Sequence, residues 1–356
     1  MPFYDIVLLP FGGEVLAPRL SGFTRASSLG PIAEFLDRQG GSAARVLRDV
    51  DLPFALLEQP ELLIPLREQF RFLERAARRT GDAFLGARLG QAVRAPRLSA
   101  YGAWVCDAAT LTDAIRRAHA GLNAMLQTST VLSFERRAGV VRWSIEFLDP
   151  ETEGRHHNEL LGVGYMTDVV RCYAGRRWTP DVVMTPLPAG TPRAGLEQIL
   201  RTNVAHGRRV AAIEFDAALL DAQRRIDVEF SGAARSGGRD EPPVPGQNDI
   251  LARVRAVADL ALHQGYPRLD WVAAKLDLSP RALQRLLGAH DVSFNGLVAG
   301  VLLRRAKALL DDRPIPIVEI ALALGYRDHA HFTRAFRRWT GVSPSAYREA
   351  DRRFPS

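Results

Sequence analysis

Residues 66–77 carry a plain helical period. Leu66, Phe70, Leu73 and Ala77 recur at spacings of three and four behind Pro65, whose ring suits a first helical turn. Leu111, Ala114, Ile115, Ala118, Leu122 and Met125 draw a second stripe of the same kind. The period then falls to two. Val141, Trp143, Ile145 and Phe147 alternate with Arg142, Ser144 and Glu146, and residues 131–136 are expected to pair with them across a turn at Ala138-Gly139. Short helices are predicted at 31–39 and 43–50, a longer one at about 156–173, and a later strand at 211–215. This mixture predicts an α+β domain.

From Asn248 onward the pattern is helical throughout. Ile250, Leu251, Val254, Val257, Ala258, Ala261 and Leu262 mark a first helix, with Asn248 as its cap and Gly265 and Pro267 beyond its end. Helices follow at 271–276, 280–289, 293–310, 317–324 and 329–339, and Asp311-Asp312-Arg313-Pro314 breaks the long one. Between the halves, Ser231, Gly232, Ser236, Gly237, Gly238, Pro242, Pro243, Pro245 and Gly246 have linker composition. The division expected is a flexible N-terminus at 1–27, an α+β domain at 28–222, a linker at 223–247 and an all-α domain at 248–353.

Charge sharpens this division. The chain of 356 residues has a net charge of +7. Residues 248–356 hold 17 Lys and Arg against 11 Asp and Glu, a net of +6, while residues 1–247 hold 30 against 29. A basic domain behind a neutral one suggests a polyanion-binding module attached to something else. Only two of the 47 positive residues are Lys, a skew read as codon bias rather than function. Two cysteines, Cys106 and Cys172, make neither a disulfide framework nor a zinc ribbon. No apolar run reaches the ~18 residues of a membrane span, and residues 1–10 lack the basic start of a secretory signal. A reducing cytoplasm is the expected location, with no membrane partner.

The basic domain repeats itself. Ala273 matches Ala321 and Leu276 matches Leu324 at an offset of 48; Leu283 matches Phe332 and Arg285 matches Arg334 at 49; Val292-Ser293 matches Val342-Ser343 at 50. Each copy reads as a helix-turn-helix. A small residue at Ala273 or Ala321 lets two helices cross closely. The turn wants positive φ, which Gly325 takes freely and Asp277 takes less comfortably. Ser279-Pro280 is an N-cap followed by a first-turn proline. On a helical wheel, Leu283, Leu286 and Leu287 face inward in the first copy, and Arg281, Gln284 and Arg285 face out. The second copy buries Phe332, Ala335 and Phe336 and exposes His329, Ala330, Thr333, Arg334 and Arg337. Arg338 joins Arg337 as a backbone-contact or surface residue. Such outward faces suit base edges and phosphates, the plain alternative being solvated helix surface.

Residues 272–348 resemble the C-terminal domain of AraC/XylS-family transcription regulators. The likeness rests on Glu319-Ile320-Ala321-Leu322-Ala323-Leu324-Gly325-Tyr326 and on the run Phe332-Thr333-Arg334-Ala335-Phe336-Arg337-Arg338-Trp339-Thr340-Gly341-Val342-Ser343-Pro344. The resemblance implies two helix-turn-helix units joined by a long helix, here about 293–310, which place two helices in successive major grooves of double-stranded DNA about 34–36 Å apart. The first copy departs from the family's habit at Asp291-Val292-Ser293-Phe294, where Gly-x-Ser-Pro is usual, and at Leu287, where Phe is usual. The first half resembles the subgroup whose N-terminal domain is arabinose-binding-domain-like, through 31–50 and 98–149. That likeness implies a small-molecule sensor, an activator's role beside RNA polymerase and a possible homodimer, with no cofactor.

Tyr101, Trp104, Phe134, Trp143, Phe147 and Tyr165 surround the predicted strand pair. They read either as plain core or, with Arg142 as a polar group, as the lining of an effector pocket. His329 and His331 point to opposite sides of a helix, and adjacent His156 and His157 are expected to diverge, so no metal site is expected. No GxSxG, HExxH, P-loop or dinucleotide-binding motif in strand context is present, so no catalytic residue is assigned. An enzyme-like N-terminal domain tethered to DNA and an effector-independent DNA binder stand as rival readings.

Overall fold

The computed structural model describes residues 21–149, 153–225, 243–311 and 315–353. The first half opens with β1 (Phe23–Arg25), α1 (Ile32–Arg38), α2 (Ala43–Asp49), β2 (Leu63–Pro65) and α3 (Leu66–Thr80). It continues through α4 (Leu85–Ala92), α5 (Ala95–Leu98), α6 (Ala100–Cys106), α7 (Leu111–Gly121), β3 (Thr130–Arg137), β4 (Val140–Phe147) and α8 (Arg155–Ala174). It closes with β5 (Val182–Met184), α9 (Ala194–Leu200), β6 (Asn203–Ala205) and β7 (Ala211–Asp216).

The expected hairpin forms. β3 and β4 pair antiparallel with Leu132 opposite Ile145 and Phe134 opposite Trp143. β7 pairs with the other edge of β4, and β5 and β6 extend the sheet to the order β3-β4-β7-β5-β6; β5 and β6 run parallel, the other neighbours antiparallel. Alternation buries Val141, Trp143, Ile145 and Phe147 on one face, where they join residues of α8 in one core. α8 is enclosed on all sides, with His157 to Val170 largely buried. It crosses α4 so closely that a Cβ on Gly164 would lie 2.3 Å from Gly90 Cα. Backbone meets backbone there, so a side chain has no room.

Residues 21–27 correct the expectation of a flexible N-terminus. β1 pairs antiparallel with β2, and the Phe23 side chain is fully buried. A three-residue strand is too short to show a period, and its partner lies 40 residues on, so no local signal announces it. Residues 1–20 of that expected segment lie outside the described residues, as does 226–242 of the expected linker. The linker's last residues are held: Thr128 Oγ1 donates to Pro245 O at 3.2 Å, and Gln247 Nε2 donates to Ser129 Oγ at 2.7 Å.

The second half is α10 (Ile250–Ala261), α11 (Leu269–Lys275), α12 (Pro280–Gly288), α13 (Phe294–Asp311), α14 (Ile317–Ala323), α15 (His329–Thr340) and α16 (Pro344–Arg353). α10 is capped by Asp249 rather than Asn248, its carboxylate accepting from Ala252 N at 2.9 Å. α13 ends at Asp311, and the rest of the expected breaker, 312–314, lies outside the described residues. The core of this half gathers α10 to α15 and also takes in Phe23 and Val244.

Two glycine substitutions separate packing from helix propensity. Gly164→Ala forces α4 and α8 apart and is expected to destabilise by about 1–3 kcal/mol. Gly300→Ala, exposed within α13 with nothing within 4 Å of a new Cβ, is expected to stabilise by about 0.5–1 kcal/mol. Denaturant unfolding of the three proteins checks both signs.

Candidate DNA-binding faces and an internal cavity

The duplicated unit is built twice by the same local rules. Between α11 and α12, Asp277 holds a φ of 60°; between α14 and α15, Gly325 holds 76°. Gly325 meets a second demand, since a Cβ there would lie 2.5 Å from Tyr266 N. Each following helix starts on a side-chain cap. Ser279 Oγ accepts from Ala282 N at 3.1 Å, and Asp328 Oδ1 accepts from His331 N at 2.8 Å. The latter bond holds the Asp328 carboxyl below its usual range. Each unit then ends on another positive φ, 55° at Asp291 and 83° at Gly341.

These turns present the two helices as the wheels predict. Leu283 and Leu287 are buried on α12, and Phe332, Ala335 and Phe336 on α15; Ala273 and Ala321 are fully buried at the crossings. Arg281, Gln284 and Arg285 are exposed on α12. On α15, His329, Ala330, Arg334, Arg337 and Arg338 are exposed and Thr333 is half-buried. Leu286 is half-buried rather than enclosed.

A cavity of about 100 Å³ lies inside the α+β half, between the inner face of the β3–β4 hairpin and α6, α7 and α8. Tyr101, Trp143, Phe147 and Tyr165 line it, as expected of an internal pocket. Trp104, Phe134 and Arg142 do not. Arg142 points to the opposite face of β4, where it pairs with Glu214 at 2.8 Å. Phe134 shares Trp143's face but sits exposed on the edge strand β3, and Trp104 is exposed beneath the Arg117 guanidinium. The sequence reading missed the polar lining: Ser27, Ser28, Gln69, Ser99, Gln127 and Asn158. Ser28 Oγ donates to Gln69 Oε1 at 2.7 Å, and Gln69 Nε2 donates to Asn158 Oδ1 at 2.7 Å. One signal was available: His157, Asn158 and Glu159 are polar residues opening an otherwise apolar helix, and all three are buried.

The remaining candidates fall elsewhere. His156 and His157 do not diverge; at the start of α8 their rings lie 4.0 Å apart, and with Glu74 they bring three donor atoms within 4.8 Å of one another. Their stacking is that of packed rings. Burial pushes the His157 pKa down to about 3. The two cysteines meet in the core as free thiols, where the hydrogen bond that the Cys106 thiol gives to Cys172 and burial raise the Cys106 pKa. Such a thiol is a poor nucleophile.

The two halves are joined by buried charges. Lys275 Nζ, at the end of α11, lies 2.9 Å from Glu68 Oε2 of α3, with the lysine side chain 9% and the glutamate 2% exposed. It also donates to Val50 O at 2.8 Å. Two residues on, Asp277 in the first helix-turn-helix pairs with Arg67. Arg253 of α10 is buried, donates to Ser21 O and lies 5.1 Å from the centre of the Phe23 ring. Burial lowers its pKa to about 10, and the Asp149 carboxylate works against that shift. The exposed faces of α12 and α15 take no part in this interface.

Glu68 also pairs with Arg71 Nη1 at 2.6 Å, so removing Lys275 leaves the glutamate a second counter-charge, whereas removing Glu68 leaves the buried Lys275 with Val50 O. Glu68→Leu is expected to cost about 3–5 kcal/mol and Lys275→Met less, about 1–3 kcal/mol, and the double variant to recover part of the Glu68→Leu loss. Unfolding midpoints of the single and double variants, combined as a cycle, measure the coupling.

Residues 40–223, more than half of the chain, match the arabinose-binding domain of AraC transcription regulators, and residues 272–350 match a helix-turn-helix domain. The chain is 40% identical over 104 residues to the ornithine utilization regulator of Pseudomonas aeruginosa, covering 29% of this chain and 30% of that protein. It is 25% identical over 334 residues to the HTH-type transcriptional regulator VirS of Mycobacterium tuberculosis, covering 92% of this chain and 97% of that one. The solved structure of the transcriptional regulator CdpR from Pseudomonas aeruginosa is similar at 22% identity with a TM-score of 0.35, over 74% of this chain and 86% of that chain. Among the described residues no helix is long and apolar enough to cross a membrane. This chain belongs to the AraC family of DNA-binding transcription regulators, with an N-terminal domain of the ligand-binding type.

Proposed function

We propose that the protein is a cytoplasmic transcription activator that reads its operator with α12 and α15 and is controlled by a small molecule bound in the N-terminal cavity. One observation carries the reading: the elements that line the cavity are the elements that hold the DNA-binding half. On α3, Gln69 lines the cavity while its neighbour Glu68 holds Lys275. On the β1 segment, Ser27 and Ser28 line the cavity while Phe23 packs into the core of the second half. A ligand that shifts either element by a fraction of an ångström acts directly on the contacts of the first helix-turn-helix, Lys275 and Asp277.

On this reading Arg281, Gln284 and Arg285 of α12, with His329, Ala330, Thr333 and Arg334 of α15, meet base edges and nearby phosphates. Arg337 and Arg338 meet the backbone. Both helices then serve one bound site, with RNA polymerase as the downstream partner and a homodimer as the unit that spans two half-sites.

Selection of duplexes from a random library, followed by titration at several salt concentrations, tests the DNA reading. A specific site is expected, with affinity falling linearly in log salt. Gln284→Ala and Arg334→Ala are each expected to weaken the selected duplex by about 1–3 kcal/mol and to relax preference at one base pair. Unchanged affinity and preference in both variants would remove the base-reading role from these helices.

A further inference from the structure

The cavity's lining states what it accepts, and this step rests on the cavity being a ligand site. Its walls are mostly aliphatic and aromatic, from Val105, Leu122, Leu132, Ile145, Met166 and Val169 together with the aromatic residues named above. Among the described residues no Lys, Arg, His, Asp or Glu lines it. An ionised ligand would lose its hydration with no counter-charge to replace it, at a cost of several kcal/mol, on the order of that for any unpaired buried charge.

The polar groups narrow the choice further, because most already have partners within the protein. Ser28, Gln69 and Asn158 form the chain of bonds described above. Tyr101 donates to Ala118 O and Tyr165 to Ser28 O, each at 2.9 Å, and Gln127 Nε2 donates to Thr130 Oγ1 at 2.8 Å. A polyhydroxylated ligand, with a donor and acceptors on every carbon, would find these groups engaged with one another. Two lining residues differ. Among the described residues, Trp143 Nε1 and Ser27 Oγ are buried and find no hydrogen-bond partner. Trp143 is 1% exposed, and an indole N–H can only donate. A buried donor of that kind is complete only when an acceptor reaches it.

We infer that the N-terminal cavity binds an uncharged, mainly apolar small molecule, about one ring in size, that presents a hydrogen-bond acceptor such as a carbonyl oxygen to the indole N–H of Trp143. The volume of about 100 Å³ limits the ligand to one small ring at most, since an apolar cavity that holds benzene measures about 150 Å³. A free sugar and a carboxylate both fall outside this class.

Four probes tested on the full chain separate the possibilities: cyclopentanone, its hydrocarbon shape-match methylenecyclopentane, cyclopentanecarboxylate and L-arabinose. Binding is read by calorimetry and by the shift in unfolding temperature, for the wild type and for Trp143→Phe, which keeps an aromatic ring and removes the donor. Cyclopentanone is expected to bind most tightly to the wild type and about three- to tenfold more weakly to Trp143→Phe, the range of one neutral hydrogen bond. Methylenecyclopentane is expected to bind both proteins equally. Should Trp143→Phe fail to fold, the ratio of cyclopentanone to methylenecyclopentane affinity for the wild type carries the test, with tighter ketone binding expected. Tighter binding of the carboxylate or of arabinose would overturn the inference and leave the cavity as a ligand site. Equal binding of ketone and hydrocarbon to the wild type would overturn the indole's role. No response to any probe would overturn the ligand site itself.

Discussion

An ammonium group taken out of water must be met by a carboxylate, and in this protein the two come from different halves of the chain. Lys275 and Glu68 lie 207 residues apart and are both nearly sealed from solvent. The buried ammonium depends on Glu68, which Arg71 also meets, so the contact forms only while α11 sits against α3. Arg253 obeys the same constraint with a weaker answer: a carbonyl, an aromatic face and the nearby Asp149 share its charge. The arrangement of the two halves follows from where these buried charges find their partners.

This constraint leaves the recognition surfaces free. The first helix-turn-helix is gripped at the end of its first helix and at its turn, through Lys275 and Asp277, while the outward faces of α12 and α15 stay in solvent. The grip falls on one copy of the duplicated unit. The second copy has Gly325 at the position of Asp277, and the carboxylate in its turn, Asp328, is engaged in capping α15. The departure from glycine at Asp277 thus has a structural use: the residue that takes the positive φ also supplies the charge that Arg67 meets.

The repeat was legible because its rules are local. A cap three residues before the N–H it accepts from, a positive-φ turn and apolar residues at spacings of three and four all act within a dozen residues, and the structure realises them at Ser279, Asp328, Asp277 and Gly325. The hairpin was legible for the same reason, since alternation over eight residues in β4 outweighs any rival period. The short strands β1, β2, β5 and β6 span three residues each, too few for a pattern, and they exist because distant partners accept their hydrogen bonds. The cavity lining divides likewise. Trp143 and Phe147 followed from alternation, whereas Arg142, placed correctly on the other face, could not belong beside them.

By itself, then, the sequence determined the two-part plan, the basic all-α half, the twin helix-turn-helix units and the outward side chains of α12 and α15. Each of these is set by residues close in the chain, where periodicity, capping and backbone conformation decide. Tertiary structure alone decided that residues 21–27 are buried around the strand β1, that Gln69, Asn158 and the serines after β1 meet around a cavity, and that Glu68 closes on Lys275. These depend on groups far apart in sequence whose burial is unfavourable until the partner arrives, and no local pattern records that partner in advance.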